Sequence, residues 1–294
     1  MSVLSPELIR NVVRAALTED IGAGDITTES AIPTDQRAEA VIVAKEPCVV
    51  AGLSLVEEVF TQLDRSVAVK FLVNDGDSVK AGQRVCNLKG SARAVLTGER
   101  TALNFLQRLS GIATLTRQFV EAVAAVCDRR ANVPKILDTR KTTPTLRALE
   151  KYAVAVGGGE NHRMGLFDAV MIKDNHRAIL SRLGPNALGD SVHAARKNHP
   201  HAPVIIEADT LEQVEEALAV GADHILLDNM TPDELREAVK LVAGRAKTEA
   251  SGGVNLDTVA AIAASGVDYI SVGALTHSAR AVDFSLEMKE GEGG

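Results

Sequence analysis

The sequence VIIEADTLEQVEEALAVGADHILLD (residues 204–228) consists of an apolar strand, an amphipathic helix and a second apolar strand. Asp209 or Thr210 is placed to cap the start of the helix, and Gly221 follows its last periodic residue. Polar residues end the successive strands at intervals of 21, 21 and 22 residues, namely Glu207, Asp228, Glu249 and Ser271. This period is typical of consecutive βα units with short connections, which build a parallel sheet.

Two earlier segments have the same form of an apolar strand followed by charged residues. They are KILDTRK (residues 135–141) and FDAVMIKDN (residues 167–175). Six or so such units predict a parallel α/β barrel, in which the carboxyl ends of the strands carry the active site. We therefore expect one group of residues to meet at the mouth of the barrel: Asp138, Arg140, Lys141, Lys173, Glu207, Asp228, Ser251 and Gly273.

The first part of the chain has a different pattern. After a helix that Ser5 caps and Pro6 begins, β-branched runs broken by Asp-Gly, Pro and Ala-Gly predict short strands and turns up to about residue 90. From Leu96 to about Val126, apolar residues recur every three or four positions, which predicts a long helix that Gly111 interrupts. The chain thus divides into a strand-rich amino-terminal domain and a barrel.

The composition argues against several classes of protein. With 294 residues, 46% of them hydrophobic, the chain can bury a substantial core, yet no apolar run is long enough to span a membrane. The formal net charge of −7 argues against nucleic acid as the main partner. The chain starts without a signal-peptide pattern, and Cys48, Cys86 and Cys127 form no CxxC motif. We therefore expect a cytoplasmic protein without disulfides or a zinc site.

The acidic average hides a cationic segment between Lys135 and Arg177, which contains eight Lys or Arg residues and five acids. Cations at the early strand ends fit a ligand with several carboxylates or phosphates, and the later carboxylates Glu207 and Asp228 fit Mg²⁺ or a positive charge developing on a sugar. Taken singly, each feature also has a structural interpretation: a solvated surface, a helix cap, a buried His162. Joint placement at successive strand ends favours a functional site.

Several segments carry a family resemblance: TGERTALNFLQRLSGIAT (residues 97–114), ILDTRKTTPTLRALEKYAVAVGGGENHRMGLFDAVMIKDNH (residues 136–176), LLDN, ASGGVN and GVDYISVGALTHS. They closely resemble quinolinate phosphoribosyltransferase, and with EDIGAGDITTE the resemblance runs from about residue 15 to 285. It implies an α/β protein with an amino-terminal α/β sandwich domain (residues 1–112, joined by 280–294) and an incomplete, open α/β barrel (residues 113–279). The final KEGEGG lies outside the family pattern and is expected to be a disordered tail.

The resemblance also implies a reaction that forms nicotinate mononucleotide, CO₂ and pyrophosphate from quinolinate and phosphoribosyl pyrophosphate, with Mg²⁺ as cofactor. Quinolinate would be bound by Arg100, Arg140, His162, Arg163 and Lys173. Phosphoribosyl pyrophosphate would be bound by Lys141, Glu207, Asp228, Ser251, Gly252, Gly253 and Gly273. The catalytic residues would be Lys141, Lys173, Glu207 and Asp228, of which Glu207 and Asp228 would hold Mg²⁺ directly or through water.

The same resemblance implies a homodimer, or a hexamer built from dimers, in which Arg100 completes the site of the neighbouring subunit. Two alternatives remain open. Another type II phosphoribosyltransferase, specific for nicotinate or related to molybdenum transport, would share the barrel, although the full cationic set favours a dicarboxylate. A non-catalytic binding protein would be expected to lack Lys141, Glu207 or Asp228, and all three are present.

Overall fold

The computed structural model describes residues 4–126 and 133–289, so Cys127 and the tail residues 290–294 lie outside the described residues. The chain forms two compact units. The first comprises the residues up to Arg117, Ala148–Gly158 and the residues from Ala279 onward, and the second comprises Gln118–Arg147 and Gly159–Ser278. The predicted boundary at residue 112 would instead leave the segment 148–158 with the barrel.

Among the described residues, the first unit contains six strands, three whole helices and most of two others. Its helices are α1 (Pro6–Ile21), α2 (Ile26–Ala31), α3 (Leu53–Leu63), α4 (Ala92–Val126), which continues into the second unit, and α5 (Arg147–Val156). Its strands are β1 (Arg37–Ala44), β2 (Cys48–Val49), β3 (Ala68–Phe71), β4 (Ser78–Val79), β5 (Arg84–Ser91) and β12 (Phe284–Met288). As predicted, Ser5 caps α1, with its Oγ accepting from Leu8 N at 3.2 Å, and Pro6 begins the helix.

An antiparallel four-stranded sheet forms the centre of the first unit, in the order β12-β1-β5-β3. The last strand of the chain, β12, pairs with β1, and Ala44 lies opposite Phe284. The helix α3 packs against α1 and buries Leu55, Val56 and Phe60 completely. This is the hydrophobic face that its 3.6-residue period requires.

The helix α4 continues through Gly111 without the predicted interruption. Gly111 is needed for packing rather than for bending, because a Cβ atom there would overlap the backbone oxygen of Arg280. Gly157, after α5, is similar: a Cβ would lie 2.5 Å from Ala113 O. These close approaches and the 2.8 Å bond from Arg108 to Glu150 explain why α5 belongs to the first unit.

In the described part of the second unit, six parallel strands lie in the order β6-β11-β10-β9-β8-β7. The strands are β6 (Lys135–Leu137), β7 (Val170–Ile172), β8 (Val204–Ala208), β9 (His224–Asp228), β10 (Lys247–Ser251) and β11 (Tyr269–Ser271). The helices are α6 (Asp174–Leu180), α7 (Ala187–Asn198), α8 (Leu211–Ala219), α9 (Pro232–Val242), α10 (Val259–Ala263) and α11 (Ala274–His277).

In the part of the chain that the structure describes, β6 and β7 are the two ends of this sheet and do not pair with each other, so the barrel is open. All five residues of β8 are buried, as expected for a central parallel strand covered on both faces. The predicted fold class, a sheet domain with a parallel α/β sheet, is confirmed. No helix within residues 4–126 and 133–289 combines the length and the apolar character needed to cross a membrane.

The helices after β8 and β9 are capped by threonines. Thr210, rather than Asp209, caps α8 and accepts from Gln213 N at 3.3 Å. In α9, Thr231 and Glu234 form a reciprocal capping box, and the helix begins at Pro232. The carboxylates that end the two strands are therefore not needed as helix caps.

Candidate active site

The carboxyl ends of the parallel strands surround a cavity of about 670 Å³. Residues that end or follow different parallel strands meet at the same edge of a sheet, which explains how distant segments share this cavity. Its walls include Arg140, Lys141, His162, Arg163, Lys173, Glu207, Asp228, Ser251, Gly252, Gly253 and Gly273. Arg100 is an exposed residue of α4 in the first unit and is not part of this wall.

Lys173 and Glu207 form an ion pair at the ends of β7 and β8. Lys173 Nζ lies 2.6 Å from Glu207 Oε2, and the backbone N–H of Asp174 donates to Oε1 at 3.0 Å. The Glu207 side chain is only 6% exposed, whereas that of Lys173 is 45% exposed. Glu207 is thus a buried carboxylate with both oxygens bonded, and Lys173 remains accessible from the cavity.

Asp228 ends β9 and lies beside the glycine-rich loop. Asn229, in the left-handed conformation with φ 55°, donates from Nδ2 to Asp228 Oδ2 at 2.6 Å and from its backbone N to Ser251 O at 2.9 Å. Burial and the like charge of Glu207 raise the pKa of Asp228 above its ordinary value. The site therefore favours a positive charge next to this carboxylate.

Two guanidinium groups form a cationic wall of the same cavity. Burial and the nearby charge of Arg140 lower the pKa of Arg163. Arg163 donates to Ala169 O at 3.3 Å, while Arg140 Nε is buried and has no hydrogen-bond partner among the described residues. Two like charges held close together, one with an unpaired buried donor, indicate an anionic ligand.

Lys141 is held by its backbone next to Gly273. Its carbonyl oxygen accepts from the buried Thr276 Oγ1 at 2.7 Å. A Cβ on Gly273 would lie 3.1 Å from Lys141 Cδ and 3.1 Å from His277 Nε2, so a larger residue would crowd both side chains. His277 therefore belongs to the cavity wall, although sequence reasoning did not select it.

Gly252 and Gly253 form the loop after β10 with φ angles of +89° and +61°. A Cβ on Gly252 would overlap Asn229 Oδ1, so this position requires glycine both for its conformation and for space. Nothing described lies within 4 Å of the position where a Cβ of Gly253 would be. Glycines at the last strands of a barrel leave room for a phosphate to approach backbone N–H groups.

Asp138 does not lie in the mouth, and its predicted place there is wrong. It is completely buried and accepts from His162 N at 2.8 Å and from Asn161 Nδ2 at 2.7 Å. Asp138 directly follows β6, where its side chain fixes the loop that carries His162. The sequence indicated a site residue because Asp138 is a charged residue at a strand end. Its inward position instead makes Asp138 a residue that holds the cavity wall in place.

Residues 112–287 match the family described as "Quinolinate phosphoribosyl transferase, C-terminal domain", and residues 25–110 match the corresponding N-terminal domain. The chain belongs to the quinolinate phosphoribosyltransferase family. It is 45% identical over 284 residues to the probable carboxylating nicotinate-nucleotide pyrophosphorylase of Bacillus subtilis, covering 95% of this chain and 93% of that protein. It is 43% identical to a mitochondrial decarboxylating quinolinate phosphoribosyltransferase of Nicotiana glauca over 296 residues, which are 95% of this chain and 82% of the relative. The solved structure of the Francisella tularensis nicotinate-nucleotide pyrophosphorylase has a TM-score of 0.91 at 38% identity, with 98% of each chain covered.

His162 lies in the cavity wall, and both of its ring nitrogens are close to polar groups of the protein. The backbone N–H of Arg163 donates to Nδ1 at 2.7 Å, and Nε2 lies 3.2 Å from Glu249 Oε2. The side chain is 9% exposed. This arrangement makes His162 a well-fixed wall residue, and direct contact with a substrate carboxylate stays a prediction.

Glu249 is a cavity residue that sequence reasoning placed at the wrong depth. The 21-residue period selected it as a strand end, but β10 continues to Ser251, which pairs with Asp228, while Glu249 pairs with Leu226. Glu249 therefore lies one layer below Asp228 and Ser251, level with Glu207, which also pairs with Leu226, and it is completely buried. The 21-residue period of the sequence was the available signal for this residue. Only the register of β9 and β10 reveals how deep Glu249 lies.

Another cavity, of about 770 Å³, opens between α6, α7 and α8. Its cationic lining residue, Arg177, is paired with Glu216 at 2.5 Å, and the rest of its described lining is mainly small, apolar or acidic. Among the described lining residues, Arg177 is its single Lys or Arg, whereas several cations face the cavity at the strand ends, so size does not make it the better candidate.

The carboxylates fit a Mg²⁺ ion that a phosphorylated substrate brings with it. Both Glu207 oxygens already accept hydrogen bonds from Lys173 and Asp174, so Asp228 is better placed to face a cation. Within the described ranges, no group of three or more His, Cys, Asp or Glu side chains is arranged to hold a metal. Mg²⁺ commonly takes one or two carboxylates together with phosphate oxygens and water, which such a site would allow.

Proposed function

We propose that this chain is a carboxylating nicotinate-nucleotide pyrophosphorylase, which transfers the phosphoribosyl group of phosphoribosyl pyrophosphate to quinolinate in NAD biosynthesis. The observation that carries the proposal is the convergence of two arginines, Arg140 and Arg163, and two carboxylates, Glu207 and Asp228, on one cavity. Relatives named for this activity align with 95% of the chain, which supports the same assignment.

The cationic wall would bind quinolinate. Arg140 and Arg163 can each bind a carboxylate through two N–H groups, and the unpaired Arg140 Nε would gain an acceptor. A dianion between the guanidiniums would also offset their mutual repulsion. A monocarboxylate such as nicotinate would neutralise only part of this charge, so the wall favours quinolinate.

The carboxylate wall would serve the sugar. As the bond between ribose C1 and pyrophosphate breaks, its electron pair leaves with pyrophosphate, whose charge Lys141 and the accessible side of Lys173 would offset. Glu207 and Asp228 would stabilise the positive charge on the ribose, while Ser251 and the glycines would bind its 5′-phosphate. Bound Mg²⁺ would neutralise part of the pyrophosphate charge.

The pyridine nitrogen of quinolinate would then donate its lone pair to ribose C1 and become positively charged. The neighbouring carboxylate would leave as CO₂, and the electron pair left on the ring carbon would be stabilised by the cationic nitrogen until a proton from water replaces the lost group. The ring thus serves as its own electron acceptor. The wall must orient this carboxylate without pairing its charge too tightly.

The direct test is incubation of the purified protein with phosphoribosyl pyrophosphate, Mg²⁺ and either quinolinate or nicotinate. Quinolinate labelled in the carboxyl group next to the nitrogen should release labelled CO₂ in step with nicotinate mononucleotide. Nicotinate mononucleotide formed from nicotinate but not from quinolinate would instead support the nicotinate-specific alternative. A bound substrate without any product would support the non-catalytic alternative.

A homodimer with shared sites forms part of this proposal. Leu166 and Phe167, which follow Arg163 in the loop of the cavity wall, are 73% and 81% exposed. Adjacent exposed apolar side chains of this size are typical of a surface that another protein covers. A second copy that covers them could also bring its exposed Arg100 to the acid-binding wall, which would complete the set of cations.

We also propose a cytoplasmic location. Cys48 and Cys86 are free thiols inside the first unit. Burial raises the Cys48 pKa to about 11 and the Cys86 pKa to about 12, so both remain protonated at neutral pH. Free buried thiols fit a reducing compartment, and fractionation of the host cell would test the location.

A further inference from the structure

Glu249 lies inside the barrel with its carboxylate between two imidazole rings. Its side chain is 1% exposed, and Oε2 lies 3.2 Å from His162 Nε2 and 3.0 Å from His224 Nε2. His224 packs at a tilt on Tyr269, with the ring centroids 5.3 Å apart. Of these residues, Glu249 and His162 line the cavity, so the cluster leads from the cavity wall into the barrel interior.

The hydrogen bonds of His162 determine which ring nitrogen carries the proton. Since the backbone N–H of Arg163 donates to Nδ1 at 2.7 Å, Nδ1 offers a lone pair and carries no hydrogen. The proton of the neutral ring is then on Nε2, the nitrogen that faces Glu249. An ionised carboxylate only accepts hydrogen bonds, so His162 Nε2–H donates to Glu249 Oε2.

Glu249 stays ionised although it is buried. Burial acts to raise its pKa, but the contacts with His162 and His224 outweigh burial and lower the pKa below the ordinary value of 4.5. Its second oxygen, Oε1, is buried without a hydrogen-bond partner among the described residues, and His224 Nε2 is close but poorly aligned. A buried, half-satisfied carboxylate opposes stability, so packing does not explain a glutamate at this position.

We propose that Glu249 is a positioning residue for the acid-binding wall of the cavity. By accepting the hydrogen bond of His162 Nε2–H, it fixes the imidazole ring, and the other ring nitrogen in turn holds the backbone N–H of Arg163. The chain from Glu249 through His162 thus sets the starting point of the Arg163 side chain, whose guanidinium must meet a substrate carboxylate. This inference rests on the proposed function, because that function assigns quinolinate to this wall.

The kinetic test compares Glu249→Gln with Glu249→Leu. Glutamine still has an oxygen that accepts from His162 Nε2–H, whereas leucine fills similar space without an acceptor. We expect Glu249→Leu to raise KM for quinolinate roughly tenfold or more, with KM for phosphoribosyl pyrophosphate nearly unchanged, as is typical for the loss of a residue that orients a binding group. The KM of Glu249→Gln for quinolinate should remain within about threefold of the wild-type value. This substitution removes the charge of the side chain but keeps the hydrogen bond from His162.

A spectroscopic test reports on the ring without requiring turnover. In protein labelled with ¹⁵N-histidine, the ring-nitrogen shifts distinguish protonated from unprotonated nitrogens, and a His162→Gln variant assigns the signals. We expect His162 to carry its proton on Nε2 in the wild type and in Glu249→Gln, and to lose this fixed state in Glu249→Leu. This measurement needs no substrate, so it tests the role of Glu249 even if the proposed function is wrong. A wrong proposed function would show itself differently, as a wild-type protein without turnover.

Asp268→Asn provides a matched control. Asp268 is a partly buried carboxylate that is bonded to Thr248 and Lys247 of β10, and it does not line the cavity. It should lower the unfolding temperature while leaving both KM values unchanged. The proposal is overturned if Glu249→Leu raises both KM values equally or neither, if Glu249→Gln is as damaging as Glu249→Leu, or if the His162 nitrogen signals are the same in all three proteins.

Discussion

Arg140 is the residue whose surroundings most directly indicate an anionic ligand. Its buried Nε has no described hydrogen-bond partner, and its charge lowers the pKa of Arg163. We expect Arg140→Ala to lower kcat/KM for quinolinate by at least about 100-fold, because one bidentate charge-assisted contact is lost. Arg140→Lys should recover little of this loss, since lysine lacks the planar fork.

The unfolding temperature of Arg140→Ala should be unchanged or slightly higher, because the substitution removes a like-charge repulsion and leaves no described partner unpaired. Thermal unfolding followed by circular dichroism checks this result alongside the kinetics. A variant with undiminished turnover would contradict the place of Arg140 in the site, and a variant that loses activity only by unfolding would contradict the stability argument.

Lys173 has a second role that a simple loss of activity would hide. Lys173→Ala leaves the buried Glu207 without the 2.6 Å partner of its Oε2, so we expect the free energy of unfolding to fall by about 1–3 kcal/mol as well as a loss of turnover. The double variant Lys173→Ala/Glu207→Gln removes the uncompensated charge. It should regain most of the stability in denaturant unfolding, and it should regain no turnover.

At the scale of elements, the loop after β10 joins the glycines that are proposed to bind phosphate to the end of β9. Gly252→Ala would push Asn229, which is bonded to both Asp228 and Ser251. A displacement of this kind can cost about 100-fold in turnover, and we expect kcat/KM for phosphoribosyl pyrophosphate to fall by about that factor.

Gly244→Ala is the matched control for this substitution. Gly244 also has a positive φ, +76°, but nothing described lies near the position of its Cβ. It should lose about 1–2 kcal/mol of stability from the left-handed conformation alone and keep its kinetics. Equal kinetic losses in the two variants would mean that backbone strain, rather than displacement of Asn229, disturbs the site.

Asp268, just before β11, connects this strand with β10. The contribution of Asp268 to stability should depend on pH. Burial acts to raise the Asp268 pKa, but bonds to Lys247 and Thr248 outweigh it and lower the pKa below the ordinary value of 3.8. A lowered carboxyl pKa contributes stability that is present above pH 3.8 and is lost as the pH falls through the folded-state pKa.

Asp268→Asn should therefore lower the free energy of unfolding by about 1–3 kcal/mol at neutral pH. The difference from the wild type should shrink in denaturant titrations as the pH falls below 3.8, where the carboxyl group protonates in both states. A difference that stays constant with pH would show that the substitution acts through packing rather than through the charge.

At the scale of the whole molecule, a shared site can be tested with two inactive parents. Arg100→Ala and Arg140→Ala should each be inactive alone, because every site of either homodimer lacks one arginine. In a mixed dimer both substitutions fall in one site and leave the other intact. Random mixing should therefore restore about a quarter of wild-type turnover, and no recovery above the parents would contradict the crossing of Arg100.

The sequence by itself determined the period of the fold and, through it, the location of the site. Alternating apolar strands and amphipathic helices at a 21-residue interval require parallel βα units, and parallel strands bring their carboxyl ends to one edge. For this reason the spacing along the chain is enough to place Lys173, Glu207, Asp228 and Ser251 together. The motifs around them identified the family.

Only the tertiary structure decided the depth and partners of individual side chains. Depth depends on the register between strands, which puts Glu207 and Glu249 one layer below Asp228 and Ser251, and on the direction of a side chain after its strand, which puts Asp138 inside. The need for glycine at position 111 comes from a close approach to Arg280, a residue 169 positions later. Such contacts join segments that are distant in sequence, and hydrophobic periodicity carries no information about them, whereas it specifies the local elements that bring the segments together.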